Sequence, residues 1–275
     1  MSLLKKINVI NDVQNDWGTY FDKIYVLTIP ENATDHVRRE LRFLPKYSIY
    51  VFRPDKTTIN DGDTDNSLYD ILRHTKCNST CENIMNNHLA IIREAYTEGL
   101  QKIVIMEDDV ECNAVKSPRY MFDWLRTHSW DVFFLGYCQW PYLLSYRVHD
   151  QILKLTSPMG TFAYALSRAG MKIILDFADI HAAEAKHIDK LIGYVIPLRK
   201  YGLYPSMCFQ SDGPALFKKA LTKLPLNLNV RFADVSNLLQ EISLYTPIVG
   251  SVCNLLLCLL LLYLYVQRYV KRSAF

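Results

Sequence analysis

The chain has no surplus of charge of either sign: 31 Lys and Arg face 28 Asp and Glu over 275 residues, a formal net charge of only +3. A dedicated nucleic-acid binder needs a basic excess to displace counterions, so that class is excluded, and no nucleic-acid partner is expected. No block of basic residues precedes the final segment, so neither a basic arm nor a polybasic signal is present. The opening Met1-Ser2-Leu3-Leu4-Lys5-Lys6-Ile7 has no apolar stretch of the length a secretory signal needs. There is also no Gly-rich phosphate loop, no internal repeat and no low-complexity tract. Cysteine is present but unpatterned. Seven residues (77, 81, 112, 138, 208, 253 and 258) are odd in number and scattered, which predicts free thiols rather than a disulfide framework. Cys77 and Cys81 lack a second nearby Cys/His pair, so no zinc site is expected.

Apolar material is plentiful. Half the residues are hydrophobic and 12% are aromatic, which excludes disorder and supplies a packed core for one large or two small domains. No charged side chain lies between Glu241 and Arg268. Residues 244–266 span about 35 Å as a helix, enough to cross a hydrocarbon layer of about 30 Å. A buried core helix would show a polar stripe, and the run from Leu255 to Leu262 has none. The expectation is a single C-terminal transmembrane helix over 244–267, with tyrosines 245, 263, 265 and 269 at its interfaces. The flanking Arg268, Lys271 and Arg272 favour a cytoplasmic tail, whereas a C-terminal anchor without a leader favours a cytosolic body. The two indicators conflict, and the expectation leans to the cytosolic body. Asn32-Ala33-Thr34 and Asn78-Ser79-Thr80 are sequons that matter only for a lumenal one.

Before that segment, strand and helix patterns alternate. Buried strands are expected at Lys23–Ile29, Tyr47–Phe52, Lys102–Met106, Asp131–Leu135 (ending at Gly136), Ile152–Leu155 and Phe162–Leu166. Helices are expected at Thr34–Phe43, Glu82–Glu98 (stopped by Gly99) and Arg168–Phe177. Alternation of this kind predicts an α/β sandwich with a largely parallel sheet. The expected division is an N-terminal segment (1–20), a globular domain (21–220), a connector (221–243), the membrane helix (244–267) and a basic tail (268–275).

Open α/β sheets bind ligands beyond the carboxyl ends of their strands. Glu107-Asp108-Asp109 stands at such an end, after Lys102-Ile103-Val104-Ile105-Met106. Three adjacent carboxylates repel one another, and a hard divalent cation on oxygen ligands would relieve that repulsion and hold a diphosphate. A solvated acidic turn or a helix N-cap is the competing reading. Strand alternation turns Asp108 and Asp109 to opposite sides, so one or two of the three acids reach one ion.

The order of segments resembles glycosyltransferase family 25, which includes lipooligosaccharide and procollagen galactosyltransferases. The resemblance runs over residues 22–213. It rests on the strand Ile24-Tyr25-Val26-Leu27-Thr28-Ile29 followed by Arg38-Arg39, then Asn87-His88-Leu89-Ala90, and the strand ending in Glu107-Asp108-Asp109-Val110. Trp130-Asp131 through Leu135-Gly136, the segment Gly160–Ser167, Asp189, and Pro205 with Gln210 complete it. Asn87 stands where the family has Ser, Ile91 where an aromatic is common, and the opening lacks the usual Asn-Leu-Asp.

The resemblance implies a GT-A-type (Rossmann-like) mixed sheet flanked by helices and an inverting hexosyltransferase. It would move galactose or glucose from a UDP-hexose donor to a glycan, glycolipid or protein acceptor at a membrane, with Mn²⁺ or Mg²⁺. In it, Asp109 and then Asp108 are metal ligands, and Asp189 takes the acceptor hydroxyl's proton. Arg38 and Arg39 pair with phosphates, His88 reaches the donor or diphosphate, and Asp108 and Gln210 contact the donor. Each has a structural counterpart: Asp189 as a helix N-cap, His88 as a satisfied structural histidine, the arginines as solvated helix residues, Tyr164 as core. The alternative function is a membrane-anchored nucleotide-sugar-binding or scaffold module that has lost catalysis. A metal-dependent nucleotidyltransferase also places acids after a strand.

Overall fold

The computed structural model describes residues 3–11, 15–28, 34–52, 79–112, 119–138, 145–156, 158–185, 187–194 and 198–210. The strands are β1 (Leu3–Ile10), β2 (Lys23–Thr28), β3 (Lys46–Phe52), β4 (Lys102–Glu107), β5 (Val110–Cys112), β6 (Val132–Cys138), β7 (Ser145–His149), β8 (Ile152–Leu155), β9 (Met159–Ser167), β10 (Lys200–Leu203) and β11 (Cys208–Gln210). The helices are α1 (Asp16–Tyr20), α2 (Thr34–Glu40), α3 (Ser79–Thr97), α4 (Arg119–Thr127), α5 (Arg168–Ala185) and α6 (Ile188–Tyr194).

One sheet of nine strands, in the order β1-β3-β2-β4-β9-β6-β10-β8-β7, forms the middle layer. Its central strands are apolar at nearly every position because both faces are covered. Alternation sends Ile24, Val26, Val104, Met106, Phe133 and Leu135 to one face, where α1, α2 and α4 contribute Trp17, Val37 and Phe122. Tyr25, Ile103, Ile105, Val132, Phe134 and Leu166 point to the other, against Leu89 and Ile92 of α3, Ile174 of α5 and Leu191 of α6. The result is a three-layered α/β fold.

The sheet is mixed, which corrects the expectation of a largely parallel one. Only β2–β3, β2–β4 and β6–β10 pair in parallel. The pairs β1–β3, β4–β9, β6–β9, β8–β10 and β7–β8 are antiparallel. In the middle of the sheet β9 runs against both its neighbours, and at the edges β1 and the β7–β8 hairpin add the other antiparallel pairs. A strand buried on both faces is apolar throughout, so its sequence carries no sign of its direction.

Residues 3–20, set apart in the sequence as an N-terminal segment, supply the edge strand β1 and the core helix α1, whose Trp17 and Tyr20 are buried. Asn15 caps that helix by accepting a hydrogen bond from the Trp17 amide at 3.1 Å. The strand expected to end at Gly136 continues to Cys138 with register shifts on either side of that glycine, and the helix from Arg168 runs on to Ala185. Gly99 stops α3 in a left-handed conformation, φ +81°. Among the described residues no helix is long and apolar enough to cross a membrane. The expected connector, membrane helix and basic tail, residues 221–275, lie outside the described residues.

Candidate functional site at the end of strand β4

Strand β4 buries Ile103, Val104, Ile105 and Met106 completely, then delivers Glu107, Asp108 and Asp109 to the rim of the core. The chain turns at Asp108-Asp109 and enters the short strand β5, which pairs antiparallel with β11 in a second, two-stranded sheet. Each of the three acids meets a different neighbour.

Glu107 lies beside Leu27 of β2, and its carboxylate Oε1 is 3.3 Å from Nε2 of His88 on α3. His88 is fully buried, and its other ring nitrogen, Nδ1, is 2.8 Å from the Tyr164 hydroxyl on β9. Burial and the charge of Glu107 hold the Tyr164 phenol well above its ordinary pKa, so it keeps its proton. The Asp108 carboxylate Oδ2 accepts a hydrogen bond from Thr28 Oγ1 at 2.8 Å, at the end of β2. Asp109 turns the other way, and its Oδ2 accepts from Gln210 Nε2 of β11 at 2.7 Å.

Asp109 is the anomalous member. Its Oδ1 is buried and has no hydrogen-bond partner, an arrangement that costs free energy unless a donor or a cation meets that oxygen. Burial first, then the charge of Glu107, push its carboxyl up to about 6 against the opposing hydrogen bond from Gln210.

Strand β11 reaches Asp109 because it lies directly on Gly136. A Cβ built there would be 2.0 Å from the Cys208 carbonyl oxygen, so only glycine admits the strand. The Met207 amide donates to the Leu135 carbonyl at 2.8 Å, and a disulfide between Cys112 and Cys208 ties β11 to β5. That bridge corrects the expectation of free thiols at these two positions. The pair is separated by 96 residues in the chain, and strand register, which residue spacing does not reveal, places the two directly opposite.

The remaining sequence candidates fall at two places. Arg38 and Arg39 are on α2, which packs against β5, with Val37 and Val110 in one buried cluster. Arg39 is 68% exposed and its Nε is 3.5 Å from Glu40, while Arg38 acts electrostatically on the Tyr47 phenol. Asp189 is in the first turn of α6, inside the helix rather than at its N-cap, and its Oδ1 accepts from the Lys190 amide at 2.9 Å. The structure therefore brings together Asp108, Asp109, Gln210 and, beneath them, His88. It sets the two arginines on a neighbouring helix, and no described hydrogen bond joins Asp189 to the acidic turn. Thr28 and the disulfide have no counterpart in the sequence reading, and Tyr164, expected as core, is buried there but also bonds His88. A threonine closing an apolar strand beside an acidic strand end was the available signal for Thr28.

Among the described residues no three His, Cys, Asp or Glu side chains converge to hold a metal ion. What the site offers a cation is the unpartnered Oδ1 of Asp109 in a field of three carboxylates. That fits a magnesium- or manganese-like ion, which takes one or two carboxylates and completes its shell with water and phosphate oxygens.

No protein-family model matches the chain, and no curated protein does. Solved structures similar to it include A197 from STIV (12% identity, 66% of this chain and 81% of that one, TM-score 0.36). Another is a glycosyltransferase involved in glycosylation of the major capsid of PBCV-1, at 12% identity, the same two shares and a TM-score of 0.34. A third, from Bacillus anthracis and in complex with sucrose, is provisionally a glucose-1-phosphate thymidylyltransferase (12% identity, 75% and 78%, TM-score 0.32). At such scores the likeness carries no argument about the site, which stands on its own geometry.

Proposed function

We propose that the chain is a glycosyltransferase of the GT-A type, transferring a hexose from a UDP-sugar with inversion and with the help of Mn²⁺ or Mg²⁺. The observation that carries this reading is Asp109: a buried carboxylate oxygen without a partner, at the carboxyl end of a sheet strand, beside two more acids. The ordered resemblance to glycosyltransferase family 25 over residues 22–213 supports the same reading.

In it, Asp109 supplies the protein's direct bond to the cation, and Asp108, steadied by Thr28, holds a coordinated water or a donor hydroxyl. The cation, when bound, offsets the charge that develops on the departing diphosphate. Gln210 orients Asp109 through its 2.7 Å hydrogen bond and offers its amide oxygen to the donor. Arg38 and Arg39, on the helix beside β5, pair with nucleotide phosphates. Asp189 is the proposed base for the acceptor hydroxyl, a role that rests on its order in the family pattern alone. The segment at 244–267 would anchor the enzyme beside membrane-bound glycan, glycolipid or protein acceptors.

The test is UDP release from UDP-galactose and UDP-glucose by the full chain in detergent, with and without Mn²⁺. Asp109→Asn is expected to lower metal-dependent turnover by about 100-fold or more. Turnover that is indifferent to this substitution, or transfer of a nucleotide in place of a sugar, overturns the assignment. Metal-dependent UDP binding without turnover in the unmodified chain would favour the binding-module alternative.

A further inference from the structure

Glu107 has no role in the reading above, yet a chain of two buried side chains stands behind it. Its side chain is 24% exposed and that of His88 only 1%, so the pair runs from the rim of the site inward. Behind His88 stands Tyr164, itself fully buried on the central strand β9. Both ring nitrogens of His88 are therefore engaged, Nδ1 by a hydroxyl and Nε2 by a carboxylate.

The proton positions follow from matching donors to acceptors. An ionised carboxylate can only accept, so the Glu107 contact requires a proton on Nε2. A neutral imidazole then has a bare Nδ1, which needs a donor, and the Tyr164 hydroxyl keeps the proton that supplies one. With a neutral ring beside an ionised carboxylate the chain is Tyr164 O–H to Nδ1, then Nε2–H to Glu107 Oε1; a charged ring would keep Nε2–H on Glu107 and donate Nδ1–H to the Tyr164 oxygen. In the other tautomer the lone pair of Nε2 would face the carboxylate at 3.3 Å.

We propose that His88 and Tyr164 are positioning residues: Tyr164 anchors the ring of His88 at Nδ1, and His88 holds Glu107 by one oxygen so that its charge stays beside Asp109, where the cation and its diphosphate would bind. The sequence placed His88 on the donor, but a ring with no exposed surface acts through Glu107 instead. Supports of this kind behind a ligand set orient the groups in front of them, and losing one commonly costs about 10- to 100-fold in metal affinity or activity. The inference rests on the metal-dependent transferase reading for its consequence, but its geometry does not.

Two measurements on the full-length protein test it. The first is ¹⁵N–¹H spectroscopy of the histidine side chains, assigned by comparison with His88→Gln. Unmodified protein is expected to show the proton of His88 on Nε2, and Tyr164→Phe, which removes the donor to Nδ1, is expected to keep that tautomer with Glu107 but shift the Nδ1 resonance to that of a nitrogen without a hydrogen bond. The second is binding of UDP in the presence of Mn²⁺. Tyr164→Phe and His88→Leu should each weaken it about tenfold or more. His88→Gln, whose amide N–H can replace Nε2–H towards Glu107, should stay within about threefold of the unmodified protein. A purely structural role would make His88→Gln as damaging as His88→Leu.

The proposal is overturned by an Nδ1–H tautomer in the unmodified protein. It is equally overturned by Tyr164→Phe and His88→Leu variants that melt as folded proteins and bind Mn²⁺ and UDP unchanged. If the unmodified chain binds no UDP with Mn²⁺ but shows the Nε2–H tautomer and the loss of the Nδ1 hydrogen bond in Tyr164→Phe, the transferase reading fails, the hydrogen-bond chain stands, and the positioning role is overturned.

Discussion

Lys200 and Asp131 lie close together in the sheet and solve the problem of a buried charge in opposite ways. Asp131 is 2% exposed, but its Oδ1 accepts from Arg199 Nη2 at 2.7 Å and its Oδ2 accepts from the Arg199 amide and Nε. That carboxylate is paired and fully bonded, as a buried ion must be. Lys200, 5% exposed, has no such counter-ion among its described contacts: its ammonium donates to the Gly193 carbonyl in the last turn of α6. Burial first, and then repulsion from Lys154, lower its pKa from 10.5 to about 8. The folded chain therefore holds this proton less tightly than the unfolded chain does. The cost, on the order of 3 kcal/mol, is fully present below about pH 8 and disappears as pH rises towards 10.5. Urea midpoints measured at pH 7, 8 and 9.5 are expected to rise with pH in the unmodified protein relative to Lys200→Met, whose profile should lack this component. Parallel profiles for the two proteins would show that the ammonium is not desolvated in the folded state.

At the scale of elements, the site depends on β11 lying on a bare stretch of β6. Gly136→Ala puts a methyl group 2.0 Å from the Cys208 carbonyl and 2.5 Å from the Phe162 ring, and backbone cannot swing away as a flexible side chain can. The strand must lift, taking Gln210 off Asp109. We expect Gly136→Ala to destabilise the protein by about 1–3 kcal/mol and to weaken Mn²⁺-dependent UDP binding more than the equally crowded Gly170→Ala does. Gly170 sits against the Asp131 carbonyl, at α5 rather than at the site. Equal effects of the two substitutions would mean that β11 does not shape the site.

The elements that gather these groups were legible to different degrees. Strands β2, β4 and β6 could be read from short apolar runs, and α3 from its 3.6-residue period, with ends within a few residues. The acidic turn could be placed because a strand end is a local feature. The direction of β9, the laying of β11 across Gly136 and the ring of His88 beneath Glu107 could not. Each depends on which distant segments become neighbours, and apolar periodicity records only how deeply a residue is buried.

At the scale of the whole molecule, the sheet joins residues from one end of the described chain to the other, from the edge strand β1 to β10. Both edges are poorly suited to pairing with another sheet: β1 carries Lys5 and Lys6, and β7 is short and exposes Arg147 and His149. Across this span one covalent link, Cys112 to Cys208, closes a loop of roughly a hundred residues, and such a loop contributes about 4–5 kcal/mol in the chain-entropy account. Treatment with a dithiol, or Cys112→Ser, is expected to lower the melting temperature by several degrees; an unchanged melting curve would show that the bridge constrains little. The same link bears on geography. Glutathione in the cytosol keeps sulfur pairs of this sort apart, whereas the secretory lumen and the cell exterior let them join. Alkylating the chain at the moment of lysis and weighing it would read out that history: two protected sulfurs are expected of a bridge that formed in the cell.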